Sequence, residues 1–293
     1  MRASTRAAVI FLAPALTAIG AFFFVPVMAA IVISFTDFDI YSLGNWKYAR
    51  FVGLKNYLDL IENPLFWKAL RNTFYFLFVG GPLSIAVSLA AALLLQSKLV
   101  RLKGIFRTVY FAPVVTTLVA VAVIWRFVYH PRFGVLNYGL SFVGVTPIDW
   151  LGDPEWAMPA IILMAVWKNF GYNMIIFIAG LQNIPQELYE AASIDGAGKW
   201  QQFTSITLPM LAPTTLFISI ITMIGYLQLF AEPYVMTQGG PLDATLSIVL
   251  LMYEQGFRWW NMGYSAAVAF VLFALILVAS IFQSTLNRRF KTS

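Results

Sequence analysis

The chain has 293 residues, of which 60% are hydrophobic and only 11% charged, and its net charge is +6. An ordinary soluble domain carries about 25% charged residues, so too little polar surface is present for a water-exposed fold or a disordered chain, and the apolar surplus must face lipid. With no cysteine and a single histidine, His130, the chain is excluded from disulfide frameworks, thiolate or histidine metal clusters and cysteine nucleophiles.

Six long apolar segments follow in chain order, roughly 8–35, 73–96, 108–128, 157–181, 210–235 and 263–286. Each is about 20 residues or longer, enough to cross ~30 Å of hydrocarbon as a helix. The short alternating segments of a membrane β-barrel do not occur. The expected fold is all-α and integral to a membrane: a single transmembrane domain over 1–293 with six transmembrane helices. The first segment follows Arg2 and Arg6, as the core of a signal peptide does. Its apolar run is about twice as long as such a core and no small-residue cleavage site follows, so it reads as a retained span. Pro14 and Pro26 are tolerable inside it where neighbouring helices satisfy the freed carbonyls.

The loop 36–72 is long and of mixed charge, with Asp37 and Asp39 near its start. The short loop 97–107 carries Lys98, Arg101, Lys103 and Arg107. Short basic loops stay on the cytoplasmic side, which places both termini in the cytoplasm. The net positive charge then belongs to inner loops, not to a nucleic-acid surface. His130 and Trp150 read as outer-interface residues. Arg126 and Glu232, each about one turn inside the outer end of its span, read as rim groups that pair or snorkel.

Span four carries Trp167, Lys168, Asn169, Tyr172 and Asn173, with 169, 172 and 173 on one helical face. Span five brings Tyr226 and Gln228 from the opposite direction. Aromatic rings stack on sugar faces and amides pair with hydroxyls. Trp167, Asn169, Tyr172, Asn173, Tyr226 and Gln228 are therefore candidates for a solute pathway, although such residues also serve as packing and hydrogen-bonding groups between helices.

Between these spans lies 182–209, QNIPQELYEAASIDGAGKWQQFTSITLP. Pro185 suits a first helical turn. Leu188, Ala191, Ala192 and Asp195 recur at helical spacing. Gly196 and Gly198 permit a break, a second helix starts near Trp200, and Pro209 falls where the next span begins. A helix lying on headgroups calls for a basic polar face, whereas Glu187, Glu190 and Asp195 make this one acidic. An acidic, small-residue helix followed by a glycine turn suits docking into a groove of a soluble protein. The loop 236–262 contains Gly239-Gly240-Pro241, which with Asp37 and Asp39 is a candidate recognition surface.

No GxxxxGK[ST], GxSxG or HExxH motif occurs; Gly198-Lys199 is followed by Trp200. Any work the protein performs draws on an ion gradient or on a partner.

Glu190-Ala191-Ala192, three residues, Gly196, nine residues, Ile206-x-Leu208-Pro209 resembles the EAA loop of permease subunits in binding-protein-dependent ABC importers, with Asp195 before the glycine. Further stretches resemble the carbohydrate branch of that family, of the maltose and glycerol-3-phosphate type: FVGLKNYLDLIENPLFWKALRNTFYF, FRTVYFAPVV, FGVLNYGL and YVMTQGGPLDATLSIVLLMYEQGF. The likeness covers nearly the whole chain and is to the first of two unequal permeases, without the large extra outer domain of the maltose-type subunit.

The resemblance implies a bacterial or archaeal inner-membrane permease working with a second permease, two cytoplasmic ATPase subunits and an extracytoplasmic sugar-binding protein. It implies no nucleic-acid partner and no cofactor on this chain, with ATP and Mg held by the ATPase subunits. Glu190, Ala191, Ala192, Asp195, Gly196, Ile206, Leu208 and Pro209 would form the coupling element. The alternatives are the same architecture importing glycerol-3-phosphate or another polyol, and, from a different class, an ion-coupled secondary transporter, which calls for mid-span carboxylates.

Overall fold

The computed structural model describes residues 2–97 and 100–290. Lys98 lies outside them, and the side chains of Arg2 and Arg6 are likewise not described. Backbone N–H and C=O groups in hydrocarbon must be paired within the chain, and the described residues are accordingly helices and short connections. The sole strand-like pairing among them is one antiparallel bridge, Thr36 with Phe51.

The helices that place the functional regions are α1 (Phe11–Ser34), α2 (Pro64–Gln96), α3 (Lys103–Val115), α4 (Leu118–Val128), α5 (Pro154–Gln182), α6 (Gln186–Ile194), α7 (Lys199–Met210), α8 (Ala212–Leu227), α9 (Ala231–Met236) and α10 (Met262–Thr285). Among the described residues α1, α2, α5 and α10 are each long and apolar enough to cross a membrane. The pairs α3–α4 and α7–α8 are bent by 101° and 63°, so the described residues hold four such helices, or six spans if each bent pair is one crossing.

Three departures from the hydropathy reading have physical causes. Helix α2 starts at Pro64, nine residues before the apolar run, because its first turns are amphipathic: Phe66, Ala69 and Thr73 are buried while Lys68 and Arg71 are exposed. The third segment is not one straight helix. Pro113 cannot donate to the helical ladder, Thr116 and Thr117 are extended, and Thr116 Oγ1 donates to the Ala112 carbonyl that the break frees. The fifth segment ends as a helix at Leu227, after which the chain unwinds and restarts at Ala231; Ser247 Oγ donates to the Leu229 carbonyl in the gap.

The chain falls into two compact units, the first comprising the residues up to Trp67 with Leu251–Ala274, the second Lys68–Leu250 with the stretch from Leu275. In the first, the apolar residues of α1 are not buried by the rest of the chain. Its end is fastened by buried Asn56, whose Nδ2 donates to Ser34 O and Thr36 O at 2.8 Å each. Asp37 forms a clip with Arg50: Oδ1 accepts from the Arg50 amide at 2.7 Å and Oδ2 from Nε at 2.8 Å. Asp39 caps the helix Ile40–Gly44 by accepting from the amides of Tyr41 and Ser42.

In the second unit α5 packs chiefly against α2 and α3. Ala92, Leu95, Met174, Phe177, Ile178, Leu211 and Ile218 form a buried apolar cluster. Close approach is set by Gly171: a Cβ there would meet the Tyr110 carbonyl oxygen at 2.0 Å. Small residues at helix contacts are how membrane helices gain dispersion when lipid is as apolar as they are.

Burial pushes the Asp37 pKa up, but hydrogen bonds from the Arg50 amide and guanidinium, and that charge, hold it below the ordinary 3.8. The clip therefore adds stability above that ordinary value and loses it as pH falls through the lowered folded value. In an acid titration followed by hydrogen exchange at the Arg50 amide, corrected for intrinsic rate, protection should disappear at higher pH in Arg50→Gln than in the native chain. Equal midpoints would remove the guanidinium from the account.

Candidate functional site

Inside the second unit a cavity of about 430 Å³ is walled by α2, the bend between α3 and α4, α5, α8 and α9. Helical spacing on α5 directs Lys168, Asn169, Tyr172 and Asn173 to it; Phe76 and Ser84 come from α2, Thr222 and Tyr226 from α8, and Glu232 from α9. Phe76–Gly80 forms a π-helical turn within α2, a distortion often found at functional sites. Its Phe76 ring lies 4.7 Å from the Tyr226 ring. Asn173 is buried and its Nδ2 donates to Thr222 Oγ1 at 3.3 Å. Ser84 Oγ and Tyr226 Oη are buried on the wall and complete no hydrogen bond of ordinary geometry. The wall thus offers aromatic faces, two amides, several hydroxyls, one ammonium and one carboxyl.

Of the sequence candidates, Asn169, Tyr172, Asn173 and Tyr226 come together here. Trp167 does not line the cavity; it packs on Trp125 with ring centroids 5.4 Å apart. Gln228 caps the C-terminus of α8, exposed, and also lies off the wall. Glu232 is a correction. It lines the cavity with Lys168 and is not a rim group: it continues the face of Ile221, Gly225 and Leu229, which also line the wall. Arg126 is exposed. Phe76, Ser84 and Thr222 went unread; the available signal for α2 was Ser84 and Ser88, four apart and both fully buried in an otherwise apolar run.

The second region is the 182–209 loop. Helix α6 ends in a Schellman motif: Ala197 N donates to Ala192 O at 2.8 Å and Gly196 N to Ser193 O at 3.2 Å, with Gly196 at φ +81°. That left-handed conformation is why glycine stands there. The two arms are clamped by Tyr189 Oη to Thr207 Oγ1 at 2.8 Å and Gln202 Nε2 to Ser193 Oγ at 2.9 Å. Glu187, Glu190, Ala191 and Asp195 are exposed, as are Ile194 at 87% and Trp200 at 74%. Ala192 is half-buried, and Ile206 packs on the apolar cluster. Leu208 and Pro209 lie exposed in the last turns of α7, just before the bend. The result is a stiff, acidic and apolar knob.

Apolar helices long enough to cross a membrane, with two bent pairs, and a cavity with polar walls inside the second unit are features of a multi-pass membrane protein. Residues 83–292 match the family described as the binding-protein-dependent transport system inner membrane component. Relatives include the lactose transport system permease protein LacF of Rhizobium radiobacter, 39% identical over 94% of this chain and 91% of that one. The trehalose/maltose transport system permease protein MalF of Thermococcus litoralis is 36% identical over 94% and 91%. The arabinooligosaccharides permease AraP of Bacillus subtilis is 36% identical over 96% and 88%. Among solved structures, a bacterial ABC transporter that imports the acidic polysaccharide alginate superposes with a TM-score of 0.82, 24% identity and coverage of 96% and 94%. The chain belongs to the family of inner-membrane components of binding-protein-dependent transport systems.

Removing the Tyr189 hydroxyl opens one of the two clamps. Tyr189→Phe should cost about 1 kcal/mol locally and speed proteolysis between Gly196 and Gly198 without altering membrane insertion. Unchanged cleavage would show that Ser193–Gln202 holds the loop alone.

Proposed function

We propose that the chain forms half of the translocation pathway of an ATP-driven importer for a sugar or oligosaccharide delivered by an external binding protein. The observation that carries this reading is the cavity: Tyr172, Tyr226 and Phe76 offer ring faces, and Asn169, Asn173, Ser84 and Tyr226 offer hydrogen-bonding groups. The lactose, arabinooligosaccharide and trehalose/maltose names of its relatives agree with it. A phosphorylated solute calls for excess cationic groups; here Lys168 shares the wall with Glu232, which favours a neutral solute over glycerol-3-phosphate. Family membership answers the ion-coupled alternative.

In this reading both termini and the 182–209 loop are cytoplasmic. The exposed face of α6, with Glu187, Glu190 and Ile194, seats in a cleft of an ATPase subunit, which supplies the ATP and Mg. A second permease completes the pathway. When ATP draws the ATPase subunits together, the docked knobs move, and the spans switch the cavity between the two sides of the membrane. Binding-protein docking and ATP closure must favour the same state for the two to be coupled.

Gly196→Val places a β-branched residue at φ +81°, a strain of roughly 1–3 kcal/mol. The variant should insert normally and lose ATP-driven uptake in reconstituted vesicles; undiminished uptake would overturn the coupling role of the loop. Asn173→Ala should weaken solute affinity or transport at least several-fold while leaving assembly with the ATPase intact. Native kinetics would take Asn173 out of the pathway and leave it as a partner of Thr222.

A further inference from the structure

The loop Thr237–Leu246 holds backbone conformations that ordinary residues avoid. Gln238, Leu242 and Asp243 have φ of +52°, +48° and +56°, a region that L-residues other than Asn and Asp enter at a cost. Leu242 is the telling case. Its side chain is 79% exposed, so burial returns nothing for the strain.

Strain of this kind persists only where the surroundings over-determine it, and here they do. Lys68 Nζ donates to the Leu242 carbonyl and lies 3.6 Å from the Asp243 carboxylate. Asn72 Nδ2 donates to Asp243 O at 2.8 Å and Leu246 O at 3.0 Å. Thr237 and Thr245 share a 2.6 Å hydroxyl bond, and Thr245 Oγ1 also donates to Gly240 O at 2.8 Å. Beneath the tip Thr245, Leu246, Ser247 and Ile248 are buried, and the Ile248 amide donates to Thr73 Oγ1 at 3.1 Å. The loop is a rigid pedestal that presents one apolar side chain.

We propose that Leu242 is a preformed docking contact for the extracytoplasmic solute-binding protein, seated in an apolar recess of that protein. The proposal rests on the importer reading above. In that reading one crossing, built of α8, the unwound turn after it and α9, separates this loop from the 182–209 loop, so the tip faces the membrane side opposite the ATPase subunits. Its rim of Lys68, Asn72 and Asp243 is polar and charged, which suits an aqueous protein partner and not hydrocarbon. A tip already held in shape loses little conformational freedom on contact, as a partner that binds and leaves in every transport cycle requires.

The test uses the complete complex in proteoliposomes, with the purified solute-binding protein of the same system, loaded with its sugar, as probe. The reading is the binding-protein concentration that half-maximally stimulates ATP hydrolysis. Leu242→Gly removes the side chain and relieves the strain, so a merely structural role predicts an unchanged midpoint and an equal or higher unfolding temperature. The docking role predicts the same stability and the same unstimulated hydrolysis, with the midpoint raised about tenfold or more, the scale of a buried interface anchor, and largely restored in Leu242→Met. A midpoint for Leu242→Gly within about twofold of the native one overturns the tip while leaving the importer reading standing. Failure of the binding protein to stimulate the native complex overturns both. Because the chain has no cysteine, Leu242→Cys carries a benzophenone label at one site. Photocrosslinking to the added binding protein supports the proposal; crosslinking to the second permease or to lipid overturns it.

Discussion

A backbone amide or carbonyl inside hydrocarbon needs a partner, and several helix ends and bends among the described residues answer that demand with a side chain. Asn56 collects the carbonyls of Ser34 and Thr36, Thr116 returns to Ala112, and Ser247 reaches Leu229. The cavity wall includes such an interruption, since Leu229 lies in the gap between α8 and α9 and Glu232 in the first turn after it. Polar groups at such depth are expensive, and here they gather on the cavity wall, Lys168, Asn169, Tyr172 and Asn173 among them from one face of α5.

The strength of a reading from sequence depended on how local its cause is. Hydropathy located α1, α5 and α10 to within a few residues, since lipid contact leaves a long uniform signal. It missed the start of α2, where Lys68 and Arg71 interrupt the apolar run although the helix continues beneath them. It also missed the bend at Thr116 and Thr117, because two threonines lower hydropathy no more than a helical pair would. Conversely, the 182–209 loop was readable in outline. Pro185, Gly196 and Gly198 act on their own dihedrals, and the clamps span fewer than twenty residues.

The cavity shows the opposite case. Asn169, Tyr172 and Asn173 share a face by helical period alone, so the sequence places them together. That Ser84 and Glu232 join them depends on the packing of α2 and α9 around α5, across long stretches of chain for which one sequence carries no signal. Trp167, adjacent to the same face, is turned by the helical period onto Trp125 instead. Residue type nominated both kinds of residue equally; packing separated them.

Helix α5 runs unbroken for 29 residues, despite Pro159, and carries Asn169 and Asn173 on its way to Gln182. From Asn173 to that end is about 14 Å at 1.5 Å per residue, and only Asn183, Ile184 and Pro185 separate it from α6. In the proposed importer, a small tilt of the knob would reach the amides of the cavity wall through this one continuous helix, so the gearing between the two regions would follow from geometry. Lengthening the Asn183–Pro185 joint by flexible residues would introduce slack into that gearing while leaving both regions chemically intact.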